Sequence, residues 1–331
     1  MTLPTALVTG GNGFLGSAVV TALRSRGVRV ISTDLYEPAR PASTVTYEIA
    51  DVRRRDRIAE VIATHRPDVV VHLASIVNPG RDTTEEEEYA VDVEGARNVV
   101  DAALAHGVRR LVVASSGAAY GYHADNPLPL TEDHPLRGND EFSYSRNKRL
   151  VEEMLADTRA AHPELEQVIL RIGTILGETV RNQITALLDR KRLLVVAGSD
   201  SPFVFVWHTD VAEAFAEAVA GPVTGIFNIA GDGVVTVPEI AAMTGRKTLT
   251  VPAPVLKIAL RVGRALGLTE HGPERVGFLQ YRPVLDNRRM CEELGAQPRY
   301  TSRQALEAYL RARAEQDVPA ATAGPARSDR R

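Results

Sequence analysis

The sequence predicts a doubly wound α/β fold, a parallel sheet covered by helices on both faces, with a smaller mixed lobe toward the C-terminus. Three observations predict it. Short apolar runs alternate with helix-patterned segments through residue 172, as in a parallel sheet buried on both sides. The first run, Ala6-Leu7-Val8, enters the glycine turn Thr9-Gly10-Gly11-Asn12-Gly13-Phe14-Leu15-Gly16, which opens onto the helical apolar pattern of residues 17–23. Beyond residue 173 the apolar runs shorten and separate, which suits a lobe interleaved with the sheet.

Gly11, Gly13 and Gly16 fit G-x-G-x-x-G, and Gly10, Gly13 and Gly16 fit a G-x-x-G-x-x-G spacing. Such a turn lets backbone approach a pyrophosphate, and the helix after it offers free N–H groups and the positive end of its dipole. The next run, residues 28–33, ends at Asp34, where a carboxylate can accept from the adenosine ribose hydroxyls. It would repel a 2′-phosphate, so the site reads as one for NAD(H) over NADP(H). Residues 45–49 form a strand leading to Asp51-Val52, with Asp51 placed to bond the adenine amino group or to cap a turn. After a helix at 53–64, the buried strand 68–73 brings Leu73, Ala74 and Ser75 to the sheet edge where ligands bind.

The carboxylates from Glu85 to Glu88 suit the first turn of a helix running to residue 106 and read as solvated. Strand 110–116 ends in the hydroxyls Ser115 and Ser116, and the Pro-, Asp- and Gly-rich loop 121–141 reads as part of the site's mouth. A helix at 143–159 and a strand at 167–172 follow. The later chain shows strands at 193–197, 203–206 and 226–229, and helices at 210–220, 238–243, 255–266 and 302–315. Thr236 and Glu239 form a capping box for the second of these helices. The expected division is a nucleotide-binding domain at 1–172, a substrate lobe at 173–316 and a disordered tail at 317–331.

With 331 residues, 44% apolar and 24% charged, the chain is long enough for one large or two modest globular domains. A net charge of −3 gives no basic field for nucleic acid and no polybasic membrane anchor. One cysteine, Cys291, excludes an internal disulfide framework or a multi-cysteine metal site, and the histidines show no metal-ligand spacing. No run approaches a membrane span and no signal peptide is read, so the expected setting is cytoplasmic.

Tyr144 and Lys148 stand four residues apart, hence on one helix face. A phenol titrates near ~10, and a cation beside it favours the phenolate and brings it toward a working base. In these residues the chain resembles an extended short-chain dehydrogenase/reductase of the NAD-dependent epimerase/dehydratase family, a Rossmann-type fold, over residues 3–312. The resemblance rests on the glycine turn, Asp51-Val52, His72-Leu73-Ala74-Ser75, Ser115-Ser116-Gly117-Ala118-Ala119-Tyr120-Gly121, Tyr144-x-x-x-Lys148, the Asp210 helix start, Phe227-Asn228-Ile229-Ala230-Gly231 and the late Asp286…Leu294-Gly295…Pro298. It implies Tyr144 as general acid/base, Lys148 as its cationic partner, and Ser116 (or Ser115, were the strand end offset by one) bonding the reacting oxygen. The same resemblance implies bound NAD and a homodimer paired through helices near 87–106 and 144–160.

Three departures narrow the chemistry. Asp92 stands where the family often has asparagine. Gly117-Ala118 replaces the Asp-Glu pair of dehydratases, which argues against dehydration. The segment Ser201-Pro202-Phe203-Val204-Phe205 is apolar and lacks the cation that nucleotide-sugar members use, leaving Arg181, Arg282, Arg288 and Arg289 to compensate or to stay solvated. The first functional reading is an NAD(H)-dependent oxidoreductase acting on a small-molecule secondary alcohol or ketone. The alternatives are a nucleotide-sugar 4-epimerase with captive NAD and, from another class, a nucleotide-sensing regulator.

Overall fold

The computed structural model describes residues 4–317 apart from Arg81, Glu270 and His271. The tail expected to be disordered, from Val318 onward, lies outside the described residues. In chain order the elements of the first half are β1 (Thr5–Thr9), α1 (Phe14–Ser25), β2 (Arg29–Asp34), β3 (Val45–Ile49), α2 (Arg55–His65), β4 (Val69–His72), α3 (Glu85–Tyr89), α4 (Gly95–Ala105), β5 (Arg110–Ser116), α5 (Ser143–Ala161) and β6 (Glu166–Ile172). The second half gives β7 (Thr174–Leu176), α6 (Gln183–Leu188), β8 (Arg192–Val196), β9 (Phe205–Trp207), α7 (His208–Ala220), β10 (Gly225–Ile229), α8 (Val237–Thr244), β11 (Lys247–Val251), α9 (Ala253–Ala265), α10 (Arg275–Gln280) and α11 (Ser302–Asp317).

Seven strands form one sheet in the order β10-β6-β5-β4-β1-β2-β3, every pairing parallel. Strand side chains alternate between faces, and the buried residues divide accordingly. Val8, Val71, Val112 and Leu170 pack with Val19 and Leu23 of α1 and Phe215 of α7. Leu7, Val70, Leu111 and Ile169 pack on the other side with Ile58 of α2, Val99 of α4 and Leu155 of α5. Each fully buried aliphatic side chain contributes about 1.5–3 kcal/mol, and this double burial is why the strands read as near-continuous apolar runs.

The strand order reverses between β1 and β4, and a crevice at the carboxyl ends of such strands is where this architecture binds ligands. The smaller lobe has its own core, with Leu176, Phe205, Trp207, Ile240, Leu306 and Tyr309 buried together. Two of its pairs, β7 with β9 and β8 with β11, are also parallel. The predicted helix 85–106 is interrupted by a π-helical turn, Ala90–Glu94, between α3 and α4.

Candidate active site

A cavity of about 970 Å³ opens along the carboxyl edge of the sheet at the switch point. Its floor is the glycine turn. Gly10 has φ +68°, which an L side chain rarely adopts, and a Cβ on Gly16 would stand 2.1 Å from the Gly10 carbonyl oxygen. Gly13 is the N-cap of α1 and brings no side chain to cap it, so the first-turn N–H groups stay available to an anion. Of the other residues assigned to the nucleotide, Phe14 and Leu15 line the same floor, as do Gly10, Gly13 and Gly16. Gly11 sits beneath it, against the Ser32 side chain.

Asp34 lines the cavity at the tip of β2. Its carboxylate accepts from the backbone N–H of Asn12 at 2.9 Å and of Leu35 at 2.8 Å, which fixes its direction. Asp51 and Val52 line the neighbouring wall, and the Arg53 guanidinium on Asp51 holds that carboxyl below its ordinary range. Leu73, Ala74 and Ser75 form the opposite wall, where the Thr9 hydroxyl oxygen accepts from Leu73 and Ala74 N–H. The Ser75 hydroxyl is buried and has no protein partner, an open polar position that a bound ligand can satisfy. A cradle that excludes Cβ atoms, an uncapped helix start, an oriented carboxylate and an orphan hydroxyl fit a dinucleotide.

Tyr144 and Lys148 come to the cavity from the first turns of α5. The Lys148 ammonium is buried, lies 5.7 Å from the Tyr144 ring centroid and donates to the Ala114 carbonyl at 3.1 Å. Behind it, burial holds the His72 imidazole neutral, with its pKa lowered to about 3 and the Lys148 charge adding to the effect. His72 Nδ1 sits 2.8 Å from the Thr9 hydroxyl, one strand from the nucleotide floor.

Ser115 and Ser116 both line the cavity, but their hydroxyls are engaged differently. Ser115 donates to the buried Glu152 carboxylate of α5. Ser116 accepts from Ala118 N–H at 3.1 Å, leaving its own proton for a ligand. Glu152 also pairs with Arg171 of β6 at 2.8 Å, and both side chains are at most 4% exposed. Arg171 then reaches the Tyr120 hydroxyl and the Glu132 carbonyl, and burial pushes the Tyr120 phenol up to about 12. A charged network under the sheet edge thus anchors α5, and with it Tyr144.

Glu88 departs from its reading as a solvated acid. It is buried and accepts from the Ser143 hydroxyl at 2.6 Å, immediately before Tyr144. Asp92, at the usual asparagine position, is buried in the π turn, where one carboxylate oxygen accepts from Ile76 N–H at 3.0 Å.

The far half of the cavity contains residues that no sequence motif marked. Tyr122, Phe142 and Phe278 form a wall of rings with centroids 5.1–6.0 Å apart, and Arg275 lies over Phe142 at 5.2 Å. Of the four arginines considered, Arg181 and Arg282 line the cavity. Arg288 and Arg289 are outside its lining and pair with Asp286 and Glu293. The Arg282 guanidinium carbon lies over the Phe203 ring, 3.9 Å from its centroid, and Arg282 donates to the Ser201 carbonyl at 2.7 Å. A cation from a distant loop thus lies against the 201–205 segment. Burial lowers its pKa to about 10, and among the described residues no carboxylate pairs with it. His208, set against Glu178 at 2.9 Å and Phe14, lies outside the cavity lining. Among the described residues no cluster of His, Cys, Asp or Glu could hold a metal ion.

A family model described as the NAD dependent epimerase/dehydratase family matches residues 6–230. The chain belongs to this family. It is an NAD-dependent enzyme. The chain is 28% identical over 314 residues to an uncharacterized protein of Mycobacterium tuberculosis, covering 93% of this chain and 83% of the relative. A UDP-glucose 4-epimerase of Erwinia amylovora is 32% identical over 182 residues, 52% of this chain and 53% of the relative. Among solved structures, a short-chain dehydrogenase/reductase superfamily protein from Agrobacterium tumefaciens with bound NAD has a TM-score of 0.71 and 25% identity, covering 94% of this chain and 98% of that one. No helix among the described residues is long and apolar enough to cross a membrane.

Proposed function

We propose that the protein interconverts epimers of a nucleoside diphosphate sugar by oxidising a secondary alcohol and reducing the resulting ketone from its other face. Arg282 carries this reading. A half-buried guanidinium over Phe203, with no carboxylate and its Nε unpartnered, is placed to meet an anion, and a diphosphate in the far half of the cavity would supply it. The likeness to UDP-glucose 4-epimerase points the same way. NAD held by the glycine turn, Asp34 and the wall from Leu73 to Ser75 would supply the hydride chemistry at the carbinol carbon.

The chain's residues would do the rest. Tyr144, with the Lys148 ammonium 5.7 Å from its ring centroid, takes the hydroxyl proton and gives it back to the ketone oxygen. Ser116 donates to that oxygen. Lys148 is held by Ala114 and Tyr144 by the α5 anchor, so the acid/base is placed before substrate arrives. We also assign the enzyme to the cytoplasm and to a homodimer through α4 and α5, which light scattering would check. The aromatic wall beside Tyr144 favours a second reading, an oxidoreductase for an alcohol or ketone with an apolar flank.

The experiment has two parts. Nucleotide released on denaturing the purified protein is identified, and nucleotide sugars are then screened with wild-type, Tyr144→Phe and Arg282→Leu proteins. Captive NAD, turnover abolished by Tyr144→Phe, and a KM raised about ten- to hundredfold by Arg282→Leu, the worth of a charged hydrogen bond, support the proposal. Turnover confined to uncharged ketones, with Arg282→Leu unchanged, sinks it in favour of the second reading.

A further inference from the structure

Helix α9 is apolar on a face that nothing among the described residues covers. None of its residues is fully buried, and Val255, Ile258, Val262 and the capping Leu266 are 50–66% exposed, with Leu268 beyond them at 79%. At about 100° per residue those four side chains fall within an arc of roughly 80°. Lys257, Arg261 and Arg264 fall within about 60° on the other flank. Half-buried Leu256, Leu260 and Gly263 lie between the two flanks, on the side toward the protein.

Charge identifies the occupant. From residue 240 to 269 the chain carries Arg246, Lys247, Lys257, Arg261 and Arg264 and no acid, although the whole protein has a net charge of −3. Lys257 and Arg261 have no ion pair among the described residues, while Arg264 leans on Glu274 at 3.2 Å. An aliphatic ridge flanked only by cations matches the hydrocarbon and headgroup layers of an acidic bilayer. A second copy matches less well, since a twofold contact would set this patch against itself with only Glu274, already paired with Arg264, to answer the cations among the described residues. Nucleic acid would leave the ridge in water.

We propose that α9 is an interfacial helix that lies on an anionic lipid surface. The helix packs on α10, whose Arg275 and Phe278 line the catalytic cavity, so docking would turn the mouth of the site toward the membrane. The cations are spread along the sequence and gather on one flank only once the helix forms.

Co-sedimentation of the full chain with phosphatidylcholine vesicles, with and without phosphatidylglycerol, tests this independently of the substrate. The expected result is binding at least about tenfold stronger to the acidic vesicles, losing about tenfold in Lys257→Glu/Arg261→Glu. Ile258→Asp/Val262→Asp should lose binding as well. NAD binding retained by every variant shows that the fold is intact. Absence of sedimentation with acidic vesicles, or binding indifferent to the ridge variant, overturns the proposal. So does a ridge variant that turns a dimer into a monomer without vesicles, which would assign the face to a second copy.

Discussion

Replacing His72 by asparagine isolates a charge state that the fold forbids. Asparagine keeps an acceptor near the position of Nδ1, so the Thr9 hydroxyl retains its partner. In the native protein burial lowers the imidazole pKa from 6.5 to about 3. Between those values the unfolded chain binds a proton that the folded chain refuses. Stability is therefore complete above the unfolded value and is lost as pH falls from 6.5 toward 3. At about pH 5 the loss is about 2 kcal/mol, from 1.36 kcal/mol per unit over the unit and a half below the unfolded pKa. This figure depends little on the folded value, because that lies well below the working range. Urea unfolding of both proteins at about pH 7.5 and about pH 5 reads it, since all other titrating groups cancel in the difference. The wild type should lose about 2 kcal/mol more than His72→Asn. Equal losses would refute the claim that His72 is held neutral beside Lys148.

Three further outcomes are expected. Gly16→Ala puts a methyl group 2.1 Å from the Gly10 carbonyl oxygen, so NAD affinity measured by calorimetry should fall at least about tenfold, or 1.4 kcal/mol; unaltered affinity would remove the floor assignment. Glu152→Gln leaves Arg171 buried without a counter-charge and should cost about 3–5 kcal/mol of unfolding free energy, a loss under about 1 kcal/mol counting against the network. Asp34→Ala should narrow the preference for NAD(H) over NADP(H), and an unchanged ratio of dissociation constants would show that another group makes the discrimination.

The sheet was legible because two-sided burial writes itself as apolar runs: strands β1 to β6 and β10 each lie within two residues of the expected span. The small lobe was less so. Strand β7 has three residues and β11 is mostly exposed, so neither carries the pattern that burial imposes. Helices α6 and α10 have six residues each, too few for a helical period to show. The glycine turn, Asp34 and Ser116 could be brought to one cavity from the sequence because each stands beside a strand end, and Tyr144 and Lys148 because they stand four residues apart on one helix face. Arg282 was not. Its position depends on a loop folding back onto Phe203 from 79 residues away, as 282 − 203 gives, and no local spacing encodes that. Glu88 was hidden by its neighbours, since only a helix packed on α5 singles out one of four adjacent carboxylates.

The strand order also sets a timetable for synthesis. The strand that covers β6 is β10, so the sheet keeps an open edge while more than fifty residues, 173 to 224, are added. An uncovered strand edge invites pairing with other chains, and parallel pairings across long crossovers form slowly. A nascent chain therefore has its glycine turn and Tyr144 in hand well before Arg282 leaves the ribosome. The half of the cavity that binds nucleotide can be finished early. The half that holds Arg282 arrives last, and in the interval between them the uncovered edge of β6 is open to pairing with other chains.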